Sequence, residues 1–446
     1  MTAAQAPAPQ AAPAPAAQTA PPPAGALVAP APARGAVAVK EKPSGTPRTM
    51  AILSGLSIVS AVLFALVGAF AVNLRADALV NARLHSEQLV RIQTIHTEVV
   101  KAAAGASNEY LSAAGPDATS QRQAFTAGVA NASKKIAEAS AADPDDAVAL
   151  ATVNDKLAEY TGLIESARAN NRQGYPAGRA YLKTASDSLT NEVLPELTRL
   201  VSSNDTRVQD SYVAGDRGST LLWLIAALAF VVLSAAQAWL LLRTHRILNV
   251  GLAAATAAIV VATIVSGSLM AWAQDRGVTT RDGPYAATLA LAQARIAAFD
   301  AKSLESLALI KEGNGQADET TFTARAAAAT AALSDARTAG ADDSASAAFA
   351  AYRDVHVQIR QLDDNGKHQD AVNRATTQNE DGANKTFDRF VTASNGSLET
   401  QSQKITDNLE AVNKPLLFAT GLVLLAGLLA AVASWWGFAK RLEEYR

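Results

Sequence analysis

The sequence predicts an all-α membrane protein with four transmembrane helices and two extracytoplasmic up-down-up-down four-helix bundles. Four charge-free windows are long enough to span a bilayer, and the two long segments between them show the three- and four-residue apolar spacing of packed helices. Similar features also recur 192 to 198 residues apart along the chain. This recurrence indicates an internal duplication, in which one unit of span, outer bundle and span is used twice.

Four windows without Asp, Glu, Lys or Arg predict the transmembrane helices, because about 20 apolar residues cross the hydrocarbon layer. They are residues 49–74, 218–242, 247–274 and 415–439. The five tryptophans lie near the ends of these windows, as is typical of the membrane interface: Trp223, Trp239, Trp272, Trp435 and Trp436. Small residues within the spans indicate close helix packing rather than a pore: Gly251, Ala255, Gly427 and Ala431.

Basic residues in the short flanks of the spans predict the orientation of the chain. They are Arg34, Lys40, Lys42, Arg48, Arg243, Arg246, Lys440, Arg441 and Arg446. Residues 1–48, 243–246 and 440–446 are therefore expected in the cytoplasm, and residues 75–217 and 275–414 outside it. We expect a multi-pass protein of the plasma membrane, embedded in the lipid bilayer, with both termini in the cytoplasm.

The N-terminal region differs from the rest of the chain in composition. Eleven of the 17 prolines lie between Pro7 and Pro47, interleaved with alanine. A segment of this kind cannot bury an apolar core, so residues 1–48 are predicted to be a disordered cytoplasmic tail. Both a simple solvated tail and a docking segment for a cytosolic partner fit this composition.

Helix breaks divide each outer segment into four predicted helices. In residues 75–217 the breaks are Gly115-Pro116, Asp143-Pro144 and Gly174–Gly178, and in residues 275–414 they are Gly313–Gly315, Ala341–Asp343 and Asn365–Gly366. Gly174 and Gly366 are 192 residues apart, as are Tyr160 and Tyr352. The first and fourth helices are longer and continue into the spans, so the first and third turns are expected farthest from the membrane.

The sequence contains no recognisable catalytic, cofactor or metal motif, and we expect no enzyme and no cofactor. With no cysteine, disulfides, iron–sulfur clusters and thiolate zinc sites are excluded. A net charge of -2 without a basic cluster argues against nucleic-acid binding. The five histidines are scattered, and both they and the carboxylates are expected on solvated helix surfaces: His85, His96, His245, His356 and His368.

One segment stands out as a candidate binding surface, at the predicted far end of the first bundle. It concentrates arginine, amide and aromatic side chains, which are favoured in protein contacts: Arg168, Asn170, Asn171, Arg172, Gln173, Tyr175 and Arg179. The corresponding turn of the second bundle, 363–368, is shorter and has neither arginine nor an aromatic residue. A capped, solvated turn is the alternative interpretation; a docking surface or an anion site is the functional one.

Paired spans around an outer bundle resemble the sensor modules of bacterial chemoreceptors and histidine kinases, although no large cytoplasmic output domain is present. The layout, with the segments Glu87–His96 and Ala167–Gly174, resembles the actinobacterial GlnX-like membrane proteins more closely. That resemblance implies a relay of amino-acid availability. Its implied partners are an extracytoplasmic solute-binding lipoprotein similar to GlnH, which binds aspartate, glutamate or related amino acids, and a cytosolic kinase similar to PknG.

The functional hypothesis is a non-enzymatic transmembrane signal relay between an outer amino-acid-binding partner and a cytosolic partner such as a Ser/Thr kinase. A direct receptor is the first alternative, with a small ligand inside a bundle near Tyr110, Tyr160 and Tyr181. A structural scaffold of an envelope complex is the second alternative, and a transporter with uncharged spans comes last. An oligomer is compatible with each of these functions.

Overall fold

The computed structural model describes residues 46–112, 116–244 and 249–443, and this part of the chain is all-helical, without a strand. The predicted fold class is therefore confirmed. The helices are α1 (Thr46–Leu111), α2 (Pro116–Ala142), α3 (Ala147–Arg172), α4 (Ala177–Ser188), α5 (Leu194–Thr244), α6 (Val250–Thr280), α7 (Ala286–Ile310), α8 (Gln316–Thr338), α9 (Ser344–Asp364), α10 (His368–Thr376), α11 (Ala383–Glu410) and α12 (Asn413–Glu443).

Four helical stretches are long and apolar enough to cross a membrane, and the protein is a membrane protein. They are Arg48–Leu111, Ala177–Arg243, Val250–Ile310 and Ala383–Lys440. Their apolar parts leave large hydrophobic side chains uncovered, for example Leu66 at 60%, Leu224 at 64% and Phe418 at 62% exposure. Hydrophobic surface of this extent is stable only against lipid or another apolar partner.

Small residues let the spans approach each other closely, as the sequence predicted. A Cβ on Gly427 would lie 2.5 Å from the Cβ of Ala65, so α12 and α1 nearly touch backbone to backbone. A Cβ on Gly251 would collide with the carbonyl of Ala433 and with Gly437, which places the same constraint on α6 and α12. The spans therefore form one packed group in which a larger residue at Gly251 or Gly427 would force the helices apart.

We name residues 75–217 module 1 and residues 275–414 module 2. The helix breaks of both modules lie where the sequence placed them: α2 ends at Ala142, α3 ends at Arg172 and α9 ends at Asp364. Gly174 and Gly366, which follow α3 and α9, both have positive φ, 71° and 74°, a conformation that glycine adopts without strain. The predicted tail lies almost wholly outside the described residues, as do 113–115, the second half of the turn 243–246, and 444–446.

The fourth helix of each module departs from the regular helix that the sequence suggested. In module 1 it contains a π-helical turn, Leu189–Val193, before it continues as α5. In module 2 it is interrupted between α10 and α11, at residues 377–382, where a polar run ends in Gly382. Helix propensity is low in that run, because Asn, Asp and Gly compete with or weaken the helical backbone. The expected single fourth helix of module 2 is therefore two helices.

The two modules lie side by side, with α1 packed along α7. The hydroxyl oxygens of Ser107 and Ser303 are 3.2 Å apart, and these residues are 196 positions apart in the sequence. The hydroxyl of Ser306 also donates to the side chain of Asn108 at 2.8 Å. Near the spans, Tyr285 donates to Asp205 at 2.8 Å. The two modules therefore share one interface along their length.

A buried carboxylate fastens the α2–α3 turn of module 1 to the two helices that continue into the membrane. Asp146 is 1% exposed. It accepts hydrogen bonds from Gln88 of α1 at 3.0 Å and from Asn204 of α5 at 2.8 Å. Arg207, also on α5, completes an ion pair with Asp146 at 2.9 Å. Since every oxygen of this carboxylate has a donor, the turn, α1 and α5 are held together at one point.

Candidate functional site

The candidate segment lies where α3 ends and α4 begins, at the end of module 1 remote from the spans. The turn closes with hydrogen bonds to the carbonyl of Asn170 from the backbone N–H groups of Gln173, at 3.1 Å, and Tyr175, at 3.0 Å. Gly178 is packed between α3 and α1, where an added Cβ would be 3.0 Å from the hydroxyl of Tyr110. The segment is thus a tight, ordered turn.

The predicted binding residues separate into an outward-facing and an inward-facing group. Arg172, Gln173, Tyr175 and Arg179 are exposed, Tyr175 to 57%. Arg179 forms an ion pair with Glu312, which follows α7, at 3.1 Å. This outward group is the part of the segment that a macromolecular partner can reach.

Arg168 and Asn171 belong to the inward-facing group. The Arg168 side chain is only 10% exposed; it pairs with Glu109 of α1 at 2.5 Å and also with Glu165. Its guanidinium lies 5.4 Å from the ring centre of Phe125. The Asn171 side chain donates a hydrogen bond to the backbone carbonyl of Tyr110 at 3.3 Å. The Asn170 side chain instead donates to the backbone carbonyl of Ser166, one turn earlier in the same helix. Arg168 is therefore not on the exposed face of the turn, because it is directed inward to the buried Glu109, and its predicted role in binding stays a prediction for the interior of the module.

A cavity of about 480 Å³ opens between α1, α2, α3 and α4 beside these residues. Its polar lining comprises Glu109, Tyr110, Thr119, Arg122, Arg168, Asn171 and Arg172, and its apolar lining includes Ala106, Ile164 and Leu182. Glu109 pairs with Arg122 at 2.8 Å as well as with Arg168. Burial lowers the pKa of Arg168, but its two carboxylate partners more than offset this effect and leave it raised. The guanidinium is therefore charged at any physiological pH.

Module 2 has a buried ionic network at the corresponding place. Lys302 and Glu305 of α7 form an ion pair at 2.6 Å, and their side chains are 2% and 1% exposed. The imidazole of His356 on α9 lies between two carboxylates, 2.8 Å from Glu305 and 3.1 Å from Glu319. The same ring stacks on Phe322 with centroids 3.5 Å apart. The expectation that the histidines and carboxylates lie on solvated surfaces is wrong for this cluster.

The charges of the network shift the pKa values of its members in opposite directions. Burial raises the pKa of Glu305, but Lys302 and His356 outweigh burial and hold it at about 2. Burial lowers the pKa of His356, but its hydrogen bonds to Glu305 and Glu319 outweigh burial and raise it. The network is thus composed of charged groups that stabilise each other's ionised forms.

His96 is the second histidine for which the surface expectation is wrong. It is 6% exposed, on α1, and burial lowers its pKa to about 4. It is therefore neutral at physiological pH. Within the described ranges, no group of three or more His, Asp or Glu side chains is arranged to hold a metal ion.

Sequence reasoning missed Glu109, Arg122, Lys302 and Glu305 as site residues, although a signal was present. Glu109 follows Ala102 and Ala106 on the apolar stripe of α1, where a charged residue must be buried or paired. Lys302 and Glu305 interrupt the corresponding stripe of α7 in the same way. A charged residue in register with an apolar stripe is therefore the pattern that identifies these sites.

Comparison with known proteins gives one family match. Residues 78–213 match the model of the actinobacterial sensor domain, a span that lies within module 1. No curated protein and no solved structure matches the chain. The match supports an actinobacterial sensor protein with a sensing or signalling role, and the matched segment includes residues that line the cavity described above.

Proposed function

We propose that the protein is a non-enzymatic transmembrane signal relay. The observation that carries this proposal is the continuity of α1, which runs without a break from Thr46 through the first span and the sensor-domain segment to Leu111. Glu109 lies 35 residues beyond Leu74, about 50 Å along the helix axis at 1.5 Å per residue. A conformational change at the far end of module 1 can therefore reach the membrane through one continuous helix, α1.

The contacts of α1 and α5 supply a route for such a signal. The buried Asp146 links the two helices, and at the outer end of the first span Arg75 of α1 pairs with Asp216 of α5 at 3.0 Å. Arg83 of α1 pairs with Glu410 of module 2 at 2.9 Å. Packed helices move in small discrete shifts, so a stimulus on α1 would also displace α5 and module 2.

The resemblance to the GlnX-like proteins supports specific partners. In this proposal an extracytoplasmic solute-binding protein similar to GlnH docks on the outward-facing residues of the module 1 turn when it holds aspartate, glutamate or a related amino acid. A kinase similar to PknG reads the cytoplasmic side. Arg172, Gln173 and Tyr175 are exposed, and arginine and tyrosine dominate the binding energy of many protein interfaces.

A paired substitution tests the outer partner. Arg172→Ala with Tyr175→Ala is expected to weaken capture of the binding protein by about 2 kcal/mol or more. The matched control is Asp364→Ala with Lys367→Ala, at the equivalent positions of module 2. Undiminished capture by the module 1 variant, or an equal loss in the control, would reject the docking surface.

A second experiment tests the relay itself. The amount of kinase that co-purifies with the membrane protein is compared with and without the binding protein loaded with glutamate. A relay predicts that the loaded binding protein changes kinase capture, and that the Arg172→Ala, Tyr175→Ala variant does not respond. Kinase capture that is indifferent to the loaded binding protein would contradict the relay.

The proposed orientation is open to a direct test, because the native chain has no cysteine. Single cysteines at Ser140 and Ser344 are expected to react with an impermeant thiol reagent on intact cells. A cysteine at Thr244 is expected to react only after permeabilisation. Labelling of position 244 on intact cells would overturn the orientation inferred from the basic flanks.

A second candidate function is direct reception of a small ligand by module 1. It is favoured by the cavity of about 480 Å³, whose size lies within the usual range of ligand pockets. In that case the ligand acts on α1 through the pocket and requires no binding protein. The lining includes Tyr110, one of the residues that the sequence suggested for this function, while Tyr181 is 41% exposed.

A further inference from the structure

We propose that the cavity of module 1 is a binding site for a small organic carboxylate, and that the equivalent site of module 2 is a closed copy filled by its own side chains. This inference deepens the proposed sensory role and rests on it for its purpose in signalling. The binding itself follows from the contacts below and can be measured without any partner.

Three pairs of residues show that the two sites are structurally equivalent. Glu109 and Glu305 are 196 positions apart, and both are buried on the first helix of their module. Phe125 and Tyr160 of module 1 have ring centroids 6.3 Å apart at 51°, and Phe322 and Tyr352 of module 2 have them 6.4 Å apart at 56°. Because these landmarks coincide in sequence order and in geometry, neighbouring positions can be compared one by one.

Two substitutions between the modules explain why one site is open and the other closed. At the position of Lys302, module 1 has Ala106, and at the position of His356 it has Ile164. In module 2 the Lys302 ammonium and the His356 ring occupy the space beside the buried glutamate. Ala106 and Ile164 both line the cavity of module 1. Ala106 leaves open the space that the longer Lys302 side chain fills in module 2, and Ile164 has no polar atom to bind the glutamate as His356 does.

The charge of the lining selects an anion. In the module 1 cavity, Arg122, Arg168 and Arg172 face a single acidic residue, Glu109. In module 2, Arg360 at the position of Arg168 is occupied by acidic partners: Glu319 at 3.4 Å, Asp363 at 2.9 Å and Asp364 at 2.7 Å. Arg168 is itself paired with Glu109 and Glu165, but Arg122 and Arg172 add two further positive charges, so the open site has more arginines than carboxylates. In the closed site, acidic partners outnumber Arg360.

The hydrogen-bonding capacity of the lining favours a carboxylate. The Nε atom of Arg168 is buried without a hydrogen-bond partner. A buried unpaired donor of this kind is costly, so the pairing of Arg168 with its carboxylates leaves part of its hydrogen-bonding capacity unused. Guanidinium groups bind planar carboxylates through two parallel hydrogen bonds, a geometry that Arg122 and Arg172 at the rim can also offer. A small molecule with one or two carboxylates therefore fits both the charge and the donors.

Calorimetry on the purified full-length protein in lipid nanodiscs tests this site, with succinate as the probe. Saturable binding at one site is expected. Arg168→Gln should weaken this binding at least about 10-fold, the equivalent of 1.4 kcal/mol. The matched variant Arg360→Gln in module 2 should leave succinate binding unchanged. Inorganic phosphate and putrescine serve as the competing anion and the competing cation.

A filling variant separates loss of the site from loss of folding. Ala106→Lys with Ile164→His introduces the side chains of module 2 beside Glu109, and it should abolish succinate binding while the thermal unfolding temperature is retained. The proposal is overturned if the wild type does not bind succinate, if phosphate binds in its place, or if the filling variant binds succinate as the wild type does. Succinate binding together with kinase capture that does not respond to the loaded binding protein would reject the relay and leave the site intact. A kinase-capture response to the loaded binding protein in a protein that does not bind succinate would reject the carboxylate site and leave the relay intact.

Discussion

Modules 1 and 2 have the same arrangement of helices, but they differ at the end remote from the spans, where the interior of module 1 is open and that of module 2 is closed. In module 1, Glu109 lines a water-accessible cavity and forms ion pairs with two arginines. In module 2, Glu305 is 1% exposed and is enclosed by Lys302, Tyr352 and His356. We infer that module 1 keeps an opening for a ligand, whereas module 2 uses the same position to hold its own helices together.

The closed site is stable because every charge within it has a partner. Burial of a charged group is costly, and a buried ion pair contributes little net stability unless its remaining donors and acceptors are also satisfied. Lys302 donates to Glu305 and to the carbonyl of Ala375, which ties α7 to α10. Removal of one member should therefore be much more damaging in module 2 than in module 1.

The largest effect is expected from a charge in the apolar core of module 1. Leu157 is 1% exposed in α3, and Leu157→Asp should destabilise module 1 by at least about 4 kcal/mol, because it removes a buried leucine and buries an unpaired carboxylate. Val148→Asp, on the same helix at 81% exposure, is the matched control. Limited proteolysis of the full chain should cleave module 1 of the first variant and spare the second. Equal resistance of the two variants would disprove the assignment of Leu157 to the core.

The comparison itself predicts an asymmetry between the two buried glutamates. Glu305→Gln leaves the Lys302 ammonium buried without a counter-charge, and it should cost about 3 kcal/mol. In Glu109→Gln, Arg168 keeps its ion pair with Glu165, and Arg122 is 46% exposed to solvent. The substitution should therefore lower the free energy of unfolding by only about 1 kcal/mol. Thermal unfolding of both full-length variants measures this difference. Similar losses in the two variants would mean that the module 1 site is as closed as that of module 2.

A smaller effect is expected from pH. Because the pKa of His356 is raised in the folded protein, its ion pairs stabilise the fold fully below the unfolded pKa of about 6.5. This stabilisation, on the order of 1 kcal/mol, is lost as pH rises through the folded pKa. Glu305, with a pKa of about 2, remains ionised throughout that range. The difference in unfolding temperature between wild type and His356→Gln should therefore shrink from pH 6 to pH 9. A difference that grows with pH would contradict the charged pairing.

Much of the fold could be predicted from the sequence, because it depends on local signals. The spans follow from charge-free windows, and Gly174 and Gly366 mark turns that need positive φ. The interruption at 377–382 has a local signal, the low helix propensity of its polar run, which was not recognised in the sequence. The π-helical turn Leu189–Val193 was not predicted either, and it depends on how the fourth helix packs against its neighbours. Tertiary packing overrides helix propensity at such positions.

The candidate site could be predicted only in part. The sequence placed Arg168, Arg172 and Tyr175 at one turn, which the structure shows, but it could not tell which side chains point inward. Arg168 is turned into the bundle by Glu109, a residue 59 positions earlier in the chain. Long-range partners of this kind are not visible in local periodicity, so the cavity appears only once the helices are assembled.

The central claim is that module 1 has an open, ligand-ready end and module 2 a closed one. Amide hydrogen exchange of the full-length protein in nanodiscs, with and without saturating succinate, tests it most directly. Succinate is expected to increase the protection of amides in module 1 around Glu109, Arg122 and Arg168, and to leave the amides around Glu305 and His356 in module 2 unchanged. Equal protection in both modules, or protection confined to module 2, would contradict it.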